Sequence, residues 1–412
     1  MTRTFLFLQG PPGPFFRQLG EALRCAGSNV LRVNFNGGDR FDWRGTAFDF
    51  RGRADTWPAA LAGLVERHAV TDIVLFGDCR PLHRAAVSVG CTCNVVVHVF
   101  EEGYVRPDWV TLEQNGVNGH SSLPQDAEYY CRMAEGLAPI PNLPAVPASF
   151  AQRAGEAIAY YGASALMSPA FRYFRSHRPS SLTAETAGWL RRLGRHPFVA
   201  WRSKAVLRAL DSPYFVVPLQ LDSDHQLRVH SAFGNMEKAI REILSSFAAH
   251  APEGPVLLFK GHPLDNGLRN WRKLIEDAAT TLGMVDRVRY LECADIAKLV
   301  AHAQGVVTVN STTGTLALAA GVPVKVLGRA VYDVPGIAHR GPLDGFWQAP
   351  GCPQIELFHA FRRVLAHRCL LRGGFSSLEG RTLLIEPAVT RMLAARNATR
   401  HPGSARTLEA IA

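Results

Sequence analysis

Two series of short apolar runs, each broken by segments of helical composition, constrain this chain more than any other feature. The first series is FLFLQ, NVLRVNF, DIVLFG and NVVVHVF, lying within residues 5–100. The second opens with YFVVPLQ and continues through PVLLFK, RVRYL, GVVTVN and VPVKVLG, within residues 214–328. Strand-length apolar runs alternating with helices are the pattern of a parallel sheet flanked by helices. At 412 residues the chain is too long for one ordinary core, so two α/β domains, two Rossmann-like halves, are expected. The expected boundaries are a first domain over 1–150, a helical region over 151–211, a second domain over 212–345, and helices with a tail over 346–412 that pack back on the first domain.

Composition narrows the partner. Hydrophobic residues make up 47% and charged residues 19%, enough apolar material for sizeable cores. The formal net charge is +10 and the pI about 9.4, which favours an anionic partner such as nucleic acid, a phosphate-bearing substrate or an anionic membrane surface. Eight cysteines lack the spacings of a zinc site or a secreted disulfide framework, so reduced thiols in a cytosol are expected. The N-terminal MTRTFLFLQGPPG breaks at Gly10, Pro11 and Pro12, before a signal-peptide core or membrane span forms. Any membrane contact is therefore expected to be peripheral.

The 151–211 region interleaves Tyr160, Phe171, Trp189, Phe198 and Trp201 with Arg172, Arg191, Arg192, Arg195, Arg202, Lys204 and Arg208, and few acids interrupt it. A helical linker packed between domains fits this pattern, and so does a basic aromatic helix seated in the headgroup layer of an anionic membrane. The two readings are compatible.

Four stretches carry candidate chemistry. In LLFKGHPLDN, residues 257–266, an apolar strand ends in Lys260, Gly261, His262 and Pro263. Ligands of parallel sheets gather beyond the carboxyl ends of strands, where a lysine charge, a glycine approach and a histidine donor suit a phosphate. A solvated lysine and a capping histidine are the plainer alternative. In VVTVNSTTGTLALAAGVPV, residues 306–324, Ser311, Thr312, Thr313 and Thr315 surround Gly314 at the start of a helix. Unpaired backbone N–H groups and hydroxyls there would bind an anion without a metal, whereas ordinary capping needs only one of the four hydroxyls.

The third stretch, VPLQLDSDHQL at 217–227, interrupts a strand-like run with Asp222, Asp224 and His225, flanked by Gln220 and Gln226. Its D-x-D spacing is a weak metal signal; a carboxylate here also suits attack on a sugar carbon, and an Asp-rich turn is the bland reading. The fourth, HVFEEGYVRPDWVTLEQNGVNGHSS at 98–122, crowds Glu101, Glu102, Arg106, Asp108, Glu113 and His120 into one loop beyond a strand. Near the N-terminus, LQGPPGPFF is neither G-x-G-x-x-G nor a P-loop, so a dinucleotide or ATP site gains no support.

Together FEEGYVRPDWVTLE, PLQLDSD, KGHP and NSTTGTLAL resemble the bacterial capsule polysaccharide biosynthesis and export family of the Kps S/C type, over roughly residues 1–340. The single-module length and FEEGYVRPDW are closer to its S-type member. The resemblance implies a GT-B-like fold, two Rossmann-like domains facing a central cleft, with the N-terminal one for acceptor and the C-terminal one for nucleotide sugar. It also implies retaining transfer of β-Kdo from CMP-Kdo onto lysophosphatidylglycerol, building the oligo-Kdo linker that anchors a capsule. Lys260 and His262 would then be ligands of the CMP phosphate, with Ser311, Thr312 and Thr313 as further phosphate ligands and Gln220 among the nucleotide-sugar residues. Asp224 would supply the catalytic carboxylate, ahead of Asp222, and Glu102, then Glu101, the base that activates the acceptor.

On this reading no cofactor or metal is needed beyond the donor, and no nucleic acid is bound. The protein is expected in the cytoplasm, at the cytoplasmic face of the inner membrane beside capsule assembly proteins. Two other readings stay open: a GT-B enzyme or epimerase using a UDP-sugar, and a non-enzymatic capsule export scaffold.

Overall fold

The computed structural model describes residues 2–176, 182–222 and 225–395. By internal contacts the chain forms two compact units, one of Met1–Phe100, Ser149–Phe174 and Phe375–Ala412, the other of Glu101–Ala148 and Arg175–Gly374. Glu101–Ala148, expected in the first domain, belongs to the second unit, while the helix Leu378–Ala394 lies in the first. The 151–211 region is divided between them: the helix Phe150–Leu166 belongs to the first unit and the helix Leu182–Arg208 to the second.

The first unit contributes five strands: β1 (Thr4–Phe7), β2 (Asn29–Asn34), β3 (Phe48–Asp49), β4 (Asp72–Phe76) and β5 (Val96–Glu102), whose last two residues pass into the second unit. They lie parallel in the order β5-β4-β1-β2-β3, with Leu6 opposite Leu31 on one side and Ile73 on the other. Phe5, Leu6 and Phe7 are fully buried, as expected of a central strand covered on both faces.

The helix Leu378–Ala394 belongs to this unit, and Phe375 just before it packs edge-on against Phe15 at 5.0 Å. Arg3 donates to the carbonyls of Met392 and Leu393 at 2.7 and 2.8 Å, a cation on the negative end of that helix. The same guanidinium pairs with Asp72 at the start of β4, which also meets His98 Nε2 at 2.7 Å. Burial pushes the Asp72 carboxyl up, but hydrogen bonds from His98 and Arg3 outweigh it and hold the group below its usual range. One carboxylate therefore ties β1, β4, β5 and the returning helix together.

The second unit holds β6 (Trp109–Gln114), β7 (Tyr214–Pro218), β8 (Val256–Lys260), β9 (Val288–Leu291), β10 (Gly305–Thr308), β11 (Val324–Val326) and β12 (Leu370–Arg372). The strands β11-β10-β7-β8-β9 form a parallel sheet in that order. Its core gathers Phe215, Phe247, Phe346 and Trp347, with Phe215 and Phe247 each edge-on to Trp347 near 5 Å. The strands β6 and β12 pair antiparallel, and beside them Tyr130 of the helix Ala127–Glu135 meets Phe361 of the helix Ile355–Arg368 at 5.0 Å.

In both sheets the first strand in sequence is central, and the chain winds outward first to one side and then to the other. That is the doubly wound Rossmann topology, with a switch point between the first and fourth strands of each sheet. None of the eight cysteines, all among the described residues, forms a disulfide. Among the described residues no helix is long and apolar enough to cross a membrane.

Candidate active site

The switch point of the second sheet lies between β7 and β10. Just beyond β7, Gln220 is buried and donates from Nε2 to Asn310 Oδ1 at 2.8 Å; its Oε1 accepts the Asn310 backbone N–H at 3.2 Å. Across β7 on the other side, the Leu219 N–H donates to the Lys260 carbonyl at 2.8 Å. The carboxyl ends of β8, β7 and β10 are thus tied in a row. Strands about 4.8 Å apart put the ends of β8 and β10 roughly 10 Å from each other, about the length of a nucleoside monophosphate.

Lys260 closes β8 with a side chain only 6% exposed. Its ammonium donates to the carbonyls of Gly261 at 2.7 Å and Glu292 at 3.1 Å, and burial lowers its pKa. The sequence reading assigned this lysine to phosphate; the structure commits two of its donors to the ends of β8 and β9, so its contribution to an anion is a fixed charge. Gly261 is required here, because a Cβ would stand 2.7 Å from the Tyr290 hydroxyl.

His262 follows, half-buried, with Nδ1 accepting the Leu264 N–H at 3.0 Å. Burial, and then the charges of Lys260, Arg106 and Arg192, bring its pKa down to about 4. The imidazole is therefore neutral at pH 7 and carries its proton on Nε2, a hydrogen-bond donor in a cationic neighbourhood. The sequence alone places neither Arg106, named with the charged loop at 98–122, nor Arg192 beside the expected phosphate ligands. Arg106 sits in the FEEGYVRPDW string, and Arg192 in the basic aromatic region, where it also donates to the Asp265 carbonyl.

At the end of β10 the chain turns into the helix Thr313–Ala319. The expectation of unpaired amides is corrected here. The Thr313 N–H donates to Ser311 Oγ at 3.2 Å and the Gly314 N–H to the Ser311 carbonyl at 3.0 Å. Thr315 is buried, its hydroxyl hydrogen-bonded to the carbonyls of Tyr104 and Thr312 at 3.1 and 2.8 Å. What the turn offers an anion is the half-buried hydroxyls of Ser311, Thr312 and Thr313. Gly314 lets the turn lie against Tyr332, whose hydroxyl a Cβ would meet at 2.4 Å and which donates to the Ser311 carbonyl at 2.6 Å.

The Thr315 contact brings the loop after β5 onto this helix. There the Tyr104 hydroxyl donates to Glu113, accepts the Asn118 N–H at 2.7 Å, and is kept protonated first by burial and then by the Glu113 charge. Glu113 also accepts from Ser121 Oγ at 2.6 Å, so it serves the loop's own structure. Glu101 and Glu102 end β5 half-buried, with Glu101 Oε1 accepting the Glu102 N–H at 3.0 Å.

Asp222 accepts the Met236 N–H at 2.8 Å and pairs with Arg269 at 2.7 Å, which commits it to anchoring a helix start. Asp224 lies outside the described residues.

Two doubly wound sheets, one with hydroxyls after β10 and a neutral histidine beside cations after β8, define a Rossmann-type α/β protein. The chain belongs to the capsule polysaccharide biosynthesis protein family, whose pattern it matches over residues 71–376. It is 36% identical over 368 residues to the capsule polysaccharide export protein KpsS of Escherichia coli, covering 88% of this chain and 94% of that one. It is 34% identical over 386 residues to the capsule polysaccharide modification protein LipB of Neisseria meningitidis serogroup B, covering 90% and 91%. Among solved structures it is similar to Thermosulfurimonas dismutans KpsC, a beta Kdo 2,7 transferase, with a TM-score of 0.46 and 14% identity over 95% of this chain and 99% of that one.

Proposed function

We propose that this protein is a retaining glycosyltransferase that moves β-Kdo from CMP-Kdo onto a lysophosphatidylglycerol acceptor, starting the oligo-Kdo linker of a capsule. The observation that carries this reading is His262, neutral and with Nδ1 accepting the Leu264 N–H so that its proton sits on Nε2, near the charges of Lys260, Arg106 and Arg192 at the carboxyl edge of a doubly wound sheet. Membership of a capsule polysaccharide family supports the substrate class.

In the transfer, the CMP phosphate would lie between His262 and the hydroxyls of Ser311, Thr312 and Thr313. As the bond from the anomeric carbon to the phosphate oxygen breaks, charge builds on the phosphate. The His262 N–H and the three cations stabilise it, which is the preorganised electrostatic help that lowers such barriers. Those cations supply the countercharge that a metal provides in other transferases, so activity is expected to survive chelation.

Kdo has no hydroxyl at C3 and carries a carboxylate at its anomeric carbon, so neighbouring-group assistance is lacking and retention calls for two displacements. Asp224 attacks the anomeric carbon as CMP leaves, forming a glycosyl ester. The acceptor hydroxyl then gives its proton to Glu102 and displaces the Asp224 carboxylate. A lipid acceptor places the reaction at the cytoplasmic face of the inner membrane.

The test is incubation with CMP-Kdo and a lysophosphatidylglycerol analogue, followed by mass spectrometry of lipid and protein. The expected products are a Kdo-bearing lipid and a sugar adduct on the protein that vanishes in Asp224→Ala. Transfer from a UDP-sugar but not from CMP-Kdo would defeat the proposal, as would capsule formation and transfer untouched by Asp224→Ala.

A further inference from the structure

The helix Leu182–Arg208 has two unlike sides. On one side it is fastened to the second unit. Gly188 lies so close to the Asn266 carbonyl that a Cβ would stand 2.5 Å from it. Ser203 is buried, its hydroxyl accepting the Cys293 N–H at 3.2 Å, and Arg202 pairs with Glu292 at 3.0 Å. Val199 is buried between these points.

The opposite side is apolar and open to solvent. Leu190, Leu193, Phe198 and Trp201 are 67%, 73%, 55% and 65% exposed. Positions 190, 193, 197, 201, 204 and 208 follow helical periodicity, so Leu190, Leu193 and Trp201 share one stripe with Lys204 and Arg208. An isolated exposed leucine needs no explanation, but a stripe of large apolar residues does. The helix's own charges here are of one sign: residues 186–210 contain Arg191, Arg192, Arg195, Arg202, Lys204 and Arg208 and no acid, and of these Lys204 and Arg208 lie on the stripe.

We infer that this face of the helix Leu182–Arg208 is a membrane-docking surface, which seats Leu190, Leu193, Phe198 and Trp201 among the acyl chains of an anionic bilayer while Lys204 and Arg208 meet the headgroup phosphates. A helix lying in the interface needs this combination: an apolar face with an aromatic at headgroup depth and a cationic border. A second copy would bring like charges together across a two-fold contact. Nucleic acid would leave Leu190 and Leu193 without a partner. The inference deepens the reading of a lipid-directed enzyme and rests on it only for the reason a membrane is visited; binding is measured without donor or acceptor.

The experiment is flotation of the full chain with phosphatidylcholine vesicles, with and without phosphatidylglycerol. The wild type is expected to float with the anionic vesicles, at least about tenfold more than with neutral ones, and to be partly released by salt. Two paired variants, Leu193→Ser with Trp201→Ser and Lys204→Glu with Arg208→Glu, are expected to lose about tenfold or more of that binding with an unchanged melting temperature. Wild-type protein that stays unbound, or folded variants that float as well as wild type, would overturn the inference. A wild-type dimer that both variants convert to monomer, with no vesicle binding, would instead assign the face to a second copy and equally overturn it.

Discussion

Gln220 and Asn310 clasp each other at the switch point of the second sheet, the side-chain amide of one meeting both the side chain and the backbone of the other at 2.8 and 3.2 Å. Two strands that diverge in connectivity are held there at fixed separation, which sets the mouth of the proposed donor site. Gln220→Ala leaves the buried Asn310 N–H without this acceptor and is expected to cost about 1–3 kcal/mol of stability. Thermal or urea unfolding reads the loss, and a conservative Gln220→Glu variant shows whether an acceptor alone restores it. A Gln220→Ala protein as stable as wild type, but with weakened CMP binding, would make Gln220 a direct ligand and not a clasp.

His262 has a pKa of about 4 in the free protein, against an unfolded value of 6.5. A bound phosphate raises it, so between about 4 and the value in the complex the liganded protein holds the extra proton. The affinity contributed by His262 must then grow as pH falls from 6.5 toward 4. Calorimetric titration of CMP into wild type and His262→Gln is expected to show a ratio of affinities that widens over that range, with proton uptake in wild type only. A ratio flat with pH removes His262 from the phosphate site.

Arg106 lies near enough to His262 to lower its pKa. Arg106→Ala is expected to weaken CMP binding by about tenfold, the worth of one charge-assisted contact, while leaving cytidine binding unchanged. The comparison of nucleotide with nucleoside is the check. Equal losses for both would mean that Arg106 merely supports the loop after β5.

In the first unit, Asp42 accepts the Gly13 N–H at 2.8 Å, and burial, with Asp39 and Glu156 nearby, pushes its pKa up to about 7. The unfolded value is 3.8, so the native state binds more protons between the two. Stability from this group is present below pH 3.8 and is lost as pH rises through about 7. Asp42→Asn keeps the acceptor and removes the ionisation. It is expected to flatten that decline and to stabilise the protein at pH 8 by at most about 4 kcal/mol, measured as melting temperature against pH.

Asp72 has the opposite sign. Its folded pKa is depressed, so its contribution is present above the unfolded value of 3.8 and is lost on acidification. Asp72→Asn leaves Arg3 its carbonyl acceptors but removes its anionic partner, and is expected to cost about 1.5–3 kcal/mol at neutral pH, the range for a lost hydrogen bond to a charged group. Urea unfolding of the full chain measures it.

The sheets were legible in the sequence because fully covered parallel strands leave continuous apolar runs, and FLFLQ, YFVVPLQ and PVLLFK each became a strand. So was the location of Lys260, His262 and the Ser311–Thr313 turn at strand ends, since the apolar run stops where the strand does. What the side chains do there was less legible. Lys260 turning onto two carbonyls depends on β9, and the Ser311 hydroxyl capping its own turn hides an amide that composition leaves open. Arg106 and Arg192 join His262 only through folding, from segments that no local pattern links. A return of the C-terminal helices to the first domain was among the expectations, and Phe375 and Arg3 show the contacts that hold the helix Leu378–Ala394 there; the membership of Glu101–Ala148 in the second unit was hidden, because no local pattern marks it.

The most direct test is a co-crystal structure of the full chain with CMP. The expected result is a phosphate within hydrogen-bonding distance of His262 Nε2 and of the hydroxyls of Ser311 or Thr313, with Arg106 alongside. A nucleotide seated away from the carboxyl ends of β8 and β10, or a UMP complex formed in preference under the same conditions, would contradict it.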